Sequence, residues 1–190
     1  MLCRCEVGCQ HAVMATVQLA HTAQLEKGVL AAARELLYEV FVDDMAEHDW
    51  EHCLGGMHAL VWEGDELIGH GAVLLRRMLC AGQVLRAGYV EGVAVRTDHQ
   101  RHGRGSALMA VLEEVIAGAY QLGVLGASER GVPFYESRGW QRWLGRTSVL
   151  TPTGVRRTPA EDGYIFVLPV DVRLDHRAEL TCDWRPGDVW

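Results

Sequence analysis

The sequence lacks any apolar run of about 20 residues, the length needed to span a membrane. Its first residues also lack the continuous apolar core and small-residue cleavage site of a secretory signal. Positive charge is scarce: 18 Lys and Arg stand against 25 Asp and Glu, for a net charge of −7. An acidic chain argues against a nucleic-acid surface and is compatible with a cationic substrate. We therefore expect a cytoplasmic protein that binds neither membrane nor nucleic acid.

Metal and disulfide signals are also missing. Three of the six cysteines lie close together near the start, without a His or Cys pair at zinc spacing: Cys3, Cys5 and Cys9. The other three are scattered in the way of buried free thiols: Cys53, Cys80 and Cys182. The sequence thus predicts no disulfide and no metal ion.

No linker, repeat or low-complexity segment divides the chain. Its 190 residues, 49% hydrophobic and 23% charged, have the size and composition of one globular domain. We predict a disordered N-terminal extension over residues 1–15 and a single α+β domain over residues 16–190.

Hydrophobic periodicity predicts the order of helices and strands. Residues 16–21 alternate like a strand, and Thr22 is a candidate cap for a helix whose apolar stripe runs to Val40. A short helix is predicted over residues 131–140, ended by Gly139. Further strands are predicted over residues 57–62, 67–78, 84–95, 123–128, 146–150 and 164–169.

The most informative stretch joins an apolar strand, residues 90–95, to a helix with apolar residues from Leu108 to Ile116. Between them lies the basic, glycine-bearing loop of residues 100–105. Unpaired N–H groups and the helix dipole favour an anion at such a helix start, which predicts a phosphate site. Gly92 within the strand predicts a β-bulge. Neither a P-loop nor a dinucleotide-binding fingerprint is present.

Two side chains near this unit have a plausible chemical role. Tyr135 is a candidate general acid because its phenol stays protonated at neutral pH; the alternative is core packing with a satisfied hydroxyl. Glu91 interrupts an apolar strand, so it needs a partner. That partner is either an internal arginine or the ammonium of a substrate, from which Glu91 would remove a proton directly or through water.

Acidic and aromatic residues suggest where a cationic acceptor would bind. Residues 41–52 hold five carboxylates and no Lys or Arg. They form either a solvated connection or, with Phe41 and Trp50, a wall for a polycation. The apolar end, Val189 and Trp190, suggests that the C-terminus docks on the domain. Its carboxylate would add another anion.

The loop and the segment after it resemble a known family. Residues 100–105 match the Q/R-x-x-G-x-G/A signature of the GNAT acyltransferases, and residues 134–140 (FYESRGW) resemble the family's F/L-Y-x-x-x-G-F/W motif. At a finer level the chain resembles the aminoglycoside 2′-N-acetyltransferases. The stretches that carry this resemblance are residues 49–52, 54–59, 88–96, 118–123, 137–140, 147–150, 166–169, 182–185 and 187–190.

This resemblance implies a GNAT fold, a mixed and mostly antiparallel central sheet flanked by helices. It implies acetyl-CoA as the donor, the 2′-amine of an aminoglycoside as the acceptor, direct attack, antibiotic resistance and a homodimer. Glu91 and Tyr135 would be catalytic. Residues carried over for CoA are Val93, Ala94, Val95, Gln100, Arg101, His102, Gly103, Arg104 and Gly105. Residues carried over for the antibiotic are Asp44, Glu91, Gly92, Gly126, Glu161, Asp162, Asp188 and Trp190.

Departures from the family pattern leave other functions open. Gly126 stands where many relatives have Ser, and Glu161 where Asp is common, so the preferred acceptor could differ. One alternative keeps the chemistry but uses another polyamine, an amino sugar or a protein amine. Another is a non-catalytic CoA-sensing or drug-binding module, which would bind acetyl-CoA without turnover.

Overall fold

The computed structural model describes residues 15–190. The predicted extension lies outside these residues, except for Ala15, which opens the first strand. The helices are α1 (Lys27–Val40), α2 (Glu47–Cys53), α3 (Arg104–Ala119) and α4 (Val132–Ser137). The strands are β1 (Ala15–His21), β2 (Met57–Glu63), β3 (Glu66–Cys80), β4 (Gln83–Val95), β5 (Leu122–Gly126), β6 (Gln141–Arg142), β7 (Thr147–Thr151), β8 (Gly154–Arg157), β9 (Ile165–Pro169) and β10 (Leu180–Asp183).

All strands of the described chain join one sheet, in the order β6-β9-β5-β4-β3-β10-β7-β8, with β2 on β3 and β1 on β2. Two neighbouring pairs are parallel, β4 with β5 and β10 with β7. The other pairs are antiparallel. The predicted mixed, mostly antiparallel sheet is confirmed.

Strand β3 organises the sheet because of its length, 15 residues. One edge pairs with β4 along most of its length. The opposite edge is shared, since β2 pairs as far as Val73 and β10 pairs with residues 78–80. Strand β10 and the short strands β6 and β8 were not predicted from the sequence. The segment of β3 that pairs with β10 lies about a hundred residues earlier in the chain, so no local turn signal indicates the pairing.

Helices cover both faces of the sheet. On β2, Ala59 and Val61 pack in the cluster that contains α3, whereas Leu60 packs in the cluster of α1 and α2. This alternation is the period-two pattern of a strand buried on both sides. Helix α3 contributes its buried side chains to one face: Leu108, Met109, Leu112 and Ile116. The predicted flanking helices are therefore confirmed.

The prediction that Thr22 caps the first helix is wrong. Thr22 begins a 3-10 turn over Thr22–Gln24, and α1 starts at Lys27 after Glu26. The Thr22 hydroxyl instead accepts the N–H of Gly55 at 2.9 Å and lies 2.7 Å from His58 Nε2. The Thr22 hydroxyl therefore forms hydrogen bonds with residues more than 30 positions away and does not cap the helix. By contrast, Gly139 follows α4 with φ 88°, as predicted.

Cys53, Cys80 and Cys182 are buried free thiols, as predicted. The other three cysteines lie outside the described residues. No helix within residues 15–190 has the length and apolarity to cross a membrane. In the same part of the chain, no three side chains among His, Cys, Asp and Glu converge as a metal-binding group.

Candidate active site

The candidate site begins where β4 and β5 separate. Their parallel pairing covers only residues 87–89 and 122–124, although β4 continues to Val95. Arg96 donates its N–H to the carbonyl of Ile68 on β3 at 2.9 Å. Because the backbone N–H and C=O groups of successive strand residues point to alternate edges, those of Ala94 point toward β3 and those of Val95 toward the split. The Val95 carbonyl accepts the Gln100 side chain at 3.0 Å. Of the residues predicted to bind CoA on β4, Val95 thus points its backbone at the split.

A bulge interrupts β4 at Gly92, as predicted. The register shifts here, and Gly92 has φ 56°. A Cβ on this residue would lie 2.8 Å from Cys53 Sγ and 3.1 Å from Leu37 Cδ1. Both the left-handed backbone and the close approach of α1 and α2 therefore require glycine.

The predicted phosphate loop has the backbone of an anion site. Arg101 and Gly103 have φ 63° and 78°, and α3 begins at Arg104. The first intrahelical bond is donated by Ala107 to Gly103, so the N–H groups before it precede the helical ladder and are directed at the loop. Arg101 and His102 are exposed.

Arg104 is already engaged. Its guanidinium donates to Glu63 at 2.7 Å and to the His102 carbonyl at 3.1 Å. The side chain thus braces the loop against β2. The loop's backbone and Arg101 are the groups that would meet a phosphate.

Tyr135 lies beside the split, on the α3 face. The neighbouring Phe134 is 3.6 Å from the position of a Cβ on Gly105, which places α4 over the start of α3. Tyr135 and Val93 pack against the same apolar cluster. Burial raises the pKa of Tyr135 to about 12, which keeps the phenol protonated. Its hydroxyl makes no hydrogen bond to any described residue, so the proton is available to a ligand.

Glu91 lies on the opposite face from Tyr135. Its carboxylate is paired with Arg185, and both side chains are largely buried. Burial raises the pKa of Glu91 to about 7, and the Arg185 charge opposes that rise. The partner predicted for Glu91 is therefore an internal arginine in this structure. A carboxylate with a pKa near neutrality is nevertheless suited to take up a proton.

The C-terminal segment closes this face. Arg185 also donates to the carbonyl of Asp188, at 2.8 Å, and to a main-chain oxygen of Trp190, at 3.0 Å. Trp190 is 6% exposed, and its indole N–H donates to Thr158 Oγ1 at 2.8 Å. On the other side, His52 Nε2 lies 2.9 Å from the carbonyl of Pro186. The predicted docking of the C-terminus is thus confirmed.

The remaining predicted acceptor residues have different surroundings. Burial, and then the charge of Asp188, raises the pKa of Glu161. Asp162 instead accepts from Arg157, at 2.6 Å, and from the N–H of Thr147, at 2.9 Å. The Arg157 hydrogen bond lowers the pKa of Asp162 to about 2. Asp44 is exposed in the turn between α1 and α2. Asp162 is thus committed to internal partners, whereas Glu161 lies with the C-terminal group.

Two buried histidines support the bulge, although the sequence analysis assigned them no role. His70 Nδ1 lies 2.9 Å from the Gly92 carbonyl, so it carries a hydrogen and donates. Its Nε2 then accepts from His58 Nδ1 at 3.0 Å, and Thr22 serves the far nitrogen of His58. Burial lowers the pKa of both histidines to about 4. The chain of hydrogen bonds consequently needs both rings neutral.

We expect stability to fall in acid because of these rings. The folded pKa values lie below the unfolded value of about 6.5, so their contribution is complete above pH 6.5 and is lost as pH falls toward 4. For each proton taken up on unfolding, the free energy of unfolding falls by about 1.4 kcal/mol per unit decrease in pH. When this free energy is measured by urea unfolding at several pH values, it should depend less steeply on pH in His70→Gln than in the wild type. The exposed His102→Gln serves as the control, and equal slopes in all three proteins would contradict the argument.

Arg185 is the functional residue that sequence reasoning missed. It lies 94 positions from its partner Glu91, so nothing local joins the two. The only signal was its place in one of the stretches that carry the family resemblance, residues 182–185. The carboxylate in β4 left two partners open, an internal arginine or a substrate ammonium, and it did not indicate which arginine.

Comparison with known proteins identifies the class. The sequence matches the family model "Acetyltransferase (GNAT) domain" over residues 22–143. The chain belongs to the GNAT family, and it is an acetyltransferase. Within that family it is 49% identical over 182 residues to the aminoglycoside 2′-N-acetyltransferase of Mycolicibacterium fortuitum. The match covers 94% of this chain and 93% of that protein.

Solved structures agree on the fold. Escherichia coli ElaA matches with a TM-score of 0.60 at 22% identity, over 82% of this chain and 98% of that one. Eis1 of Mycobacterium abscessus matches with a TM-score of 0.59 at 19% identity, over 71% of this chain and 33% of that one. The chain therefore corresponds to about a third of the length of Eis1.

Proposed function

We propose that this enzyme transfers the acetyl group of acetyl-CoA to the 2′-amine of aminoglycosides and thereby confers resistance. The observation that carries the proposal is the 49% identity, over nearly the whole chain, to the enzyme of Mycolicibacterium fortuitum. A match of that length includes the loop of residues 100–105 and the bulge at Gly92. The acidic group around Glu91, Glu161 and Asp188 suits a polycationic acceptor.

In this proposal the donor binds on the α3 side of the split. Val95 and the bulge residue Val93 would bond the pantetheine arm. The residues from Gln100 to Gly105 would bind the pyrophosphate through the backbone at the start of α3. The left-handed Gly103 and the unpaired N–H groups fit a phosphate. Acetyl-CoA supplies the acetyl group as a reactive thioester.

The acceptor would approach from the face of Glu91. Ionised Glu91 accepts a proton from the acceptor ammonium, directly or through water, which frees the nitrogen lone pair for attack on the thioester carbonyl. Tyr135, on the other face, holds a proton for the departing sulfur. In this proposal the attacking and leaving groups each have a titratable side chain, one on each face of the split.

The surroundings of Cys53 also support direct attack. Cys53 is buried beside the bulge, and burial raises its pKa far above neutrality, so it is a poor nucleophile for an acyl-enzyme.

We further propose a cytoplasmic homodimer. Leu150 and Val155 pair across β7 and β8 at the end of the sheet and are both about half exposed, which is the kind of surface that a second subunit would cover.

The proposed function is tested with two acceptors that differ at one group. Kanamycin B carries an amine at the 2′ position, and kanamycin A carries a hydroxyl there. CoA release, followed with a thiol reagent, is expected with kanamycin B only. CoA release with both acceptors would show that an amine other than the 2′-amine is acetylated. Release with neither, while acetyl-CoA still binds, would favour a different acceptor or a CoA-sensing module.

A further inference from the structure

Three positions share one face of the sheet at the end of the β4–β5 pairing. Tyr89 and Glu91 are two residues apart on β4, so both side chains point to the face opposite α3. Tyr89 pairs with Val124 on β5, and Gly126 is two residues beyond Val124. Gly126 therefore leaves its gap on the same face, beside Tyr89.

The Tyr89 hydroxyl is buried without a partner. The residue is 1% exposed, and no described residue forms a hydrogen bond with its oxygen. Buried tyrosine hydroxyls usually have a partner because an unpaired one loses its bonds to water and gains nothing. An unpaired hydroxyl next to a proposed base is thus available for a hydrogen bond to a ligand.

The charges around the Tyr89 ring indicate which kind of ligand atom would bind the hydroxyl. The guanidinium of Arg76 lies 4.7 Å from the Tyr89 ring centre, and that of Arg185 lies 5.3 Å away. Two cations at the ring disfavour a further ammonium and favour an electronegative atom. Burial raises the pKa of Tyr89, so the phenol remains a donor. A neutral oxygen that accepts a hydrogen bond fits both facts.

The space beside Gly126 gives a ligand access to the Tyr89 hydroxyl. A Cβ on this residue would have a single neighbour within 4 Å, the Tyr89 hydroxyl at 3.8 Å. Gly126 itself is exposed. The protein therefore leaves a small space between the surface and the hydroxyl. A ligand group the size of a hydroxyl, entering there, would reach hydrogen-bonding distance.

We propose that Tyr89 is a further acceptor-binding residue, whose hydroxyl donates to a neutral oxygen of the acceptor sugar beside Gly126. The inference rests on the proposed function and specifies how its acceptor is recognised. Residues i and i+2 of a strand lie about 7 Å apart. One sugar ring could thus place its amine at Glu91 and a hydroxyl or ring oxygen at Tyr89.

The first test is Tyr89→Phe, which deletes only the hydroxyl. We expect the acceptor KM to rise about 5- to 10-fold with kcat within about twofold, since a binding contact is lost before and during reaction alike. Acetyl-CoA affinity should not change. The melting temperature of the free protein should stay or rise, because an unpaired hydroxyl is removed. A packing tyrosine with a satisfied hydroxyl would instead lose stability.

A second test fills the space beside Gly126. In Gly126→Ser the new hydroxyl can pair with Tyr89, whereas Gly126→Ala fills the same space without a hydrogen bond. We expect the Ser variant to melt about 2–4 °C higher than the Ala variant. Both should show a raised acceptor KM. Adding Tyr89→Phe to Gly126→Ser should abolish the gain in melting temperature without raising KM further.

Several results would overturn the inference. An active wild type together with an unchanged acceptor KM in Tyr89→Phe would show that the hydroxyl does not meet the acceptor. A lower melting temperature for Tyr89→Phe, or equal values for the Ser and Ala variants, would show that the hydroxyl already has a partner. If the wild type acetylates no aminoglycoside, the proposed function fails before any variant is compared. The melting temperatures still decide whether the hydroxyl is free.

Discussion

Tyr135→Phe is expected to lower kcat by about 10²- to 10⁴-fold, the usual worth of general acid catalysis. The change removes the proton of the Tyr135 phenol, which lies beside the split on the α3 face. Its hydroxyl makes no hydrogen bond within residues 15–190, and the pKa of about 12 keeps it protonated through the working pH range. Because the ring remains, packing against Phe134 and Trp140 should persist.

Steady-state CoA release gives kcat, and calorimetric titration gives the acetyl-CoA affinity, which should stay within a few-fold. Tyr120→Phe is the matched control. Tyr120 is also a half-buried tyrosine, but it lies at the other end of α3, against Gly88. The control should keep kcat within about twofold. A loss below tenfold in Tyr135→Phe would assign the proton to another donor.

Glu91→Gln should lower kcat/KM by about 10²- to 10⁴-fold at pH 8. Glutamine keeps the shape and can still accept from Arg185, but it cannot take up a proton. In the wild type, kcat/KM should rise with pH through about 7, because the base acts only when ionised and burial has raised its pKa to about 7. The pH–rate profile of the variant should lack this limb.

Arg185 supplies an independent check on the same assignment. Its charge opposes the rise in the Glu91 pKa, so Arg185→Gln should move the acid limb of the profile to higher pH. Asp183→Asn is a control in the same segment, since Asp183 pairs with Arg76 and not with Glu91. If the limb remains near pH 7 in Glu91→Gln, the titrating group is another residue and Glu91 only anchors Arg185.

Local patterns were sufficient for much of the fold. The alternation in β1 and β2 and the apolar stripe of α3 gave correct elements, because each depends on neighbours within a few residues. The loop that precedes α3 was also predicted, since its glycine spacing and the following helix are contiguous in the chain. The bulge at Gly92 followed from one residue that is rarely placed inside a strand.

Errors arose where a group found a distant partner. Thr22 was predicted as a cap, yet its hydroxyl is engaged by Gly55 and His58, more than 30 residues away. Strand β10 was not predicted, yet it pairs with both β3 and β7.

The sequence alone determined that the chain folds as an α+β domain with a glycine-bearing loop before a helix, and it predicted Glu91 and Tyr135 as candidate catalytic residues. Only the tertiary structure decided where these groups lie: Tyr135 on one face of the split, and Glu91 on the other with Arg185. It also left the Tyr89 hydroxyl unpaired beside Gly126. Periodicity and turn chemistry act over a few residues, whereas burial, charge pairing and pKa depend on groups that the chain brings together across its whole length.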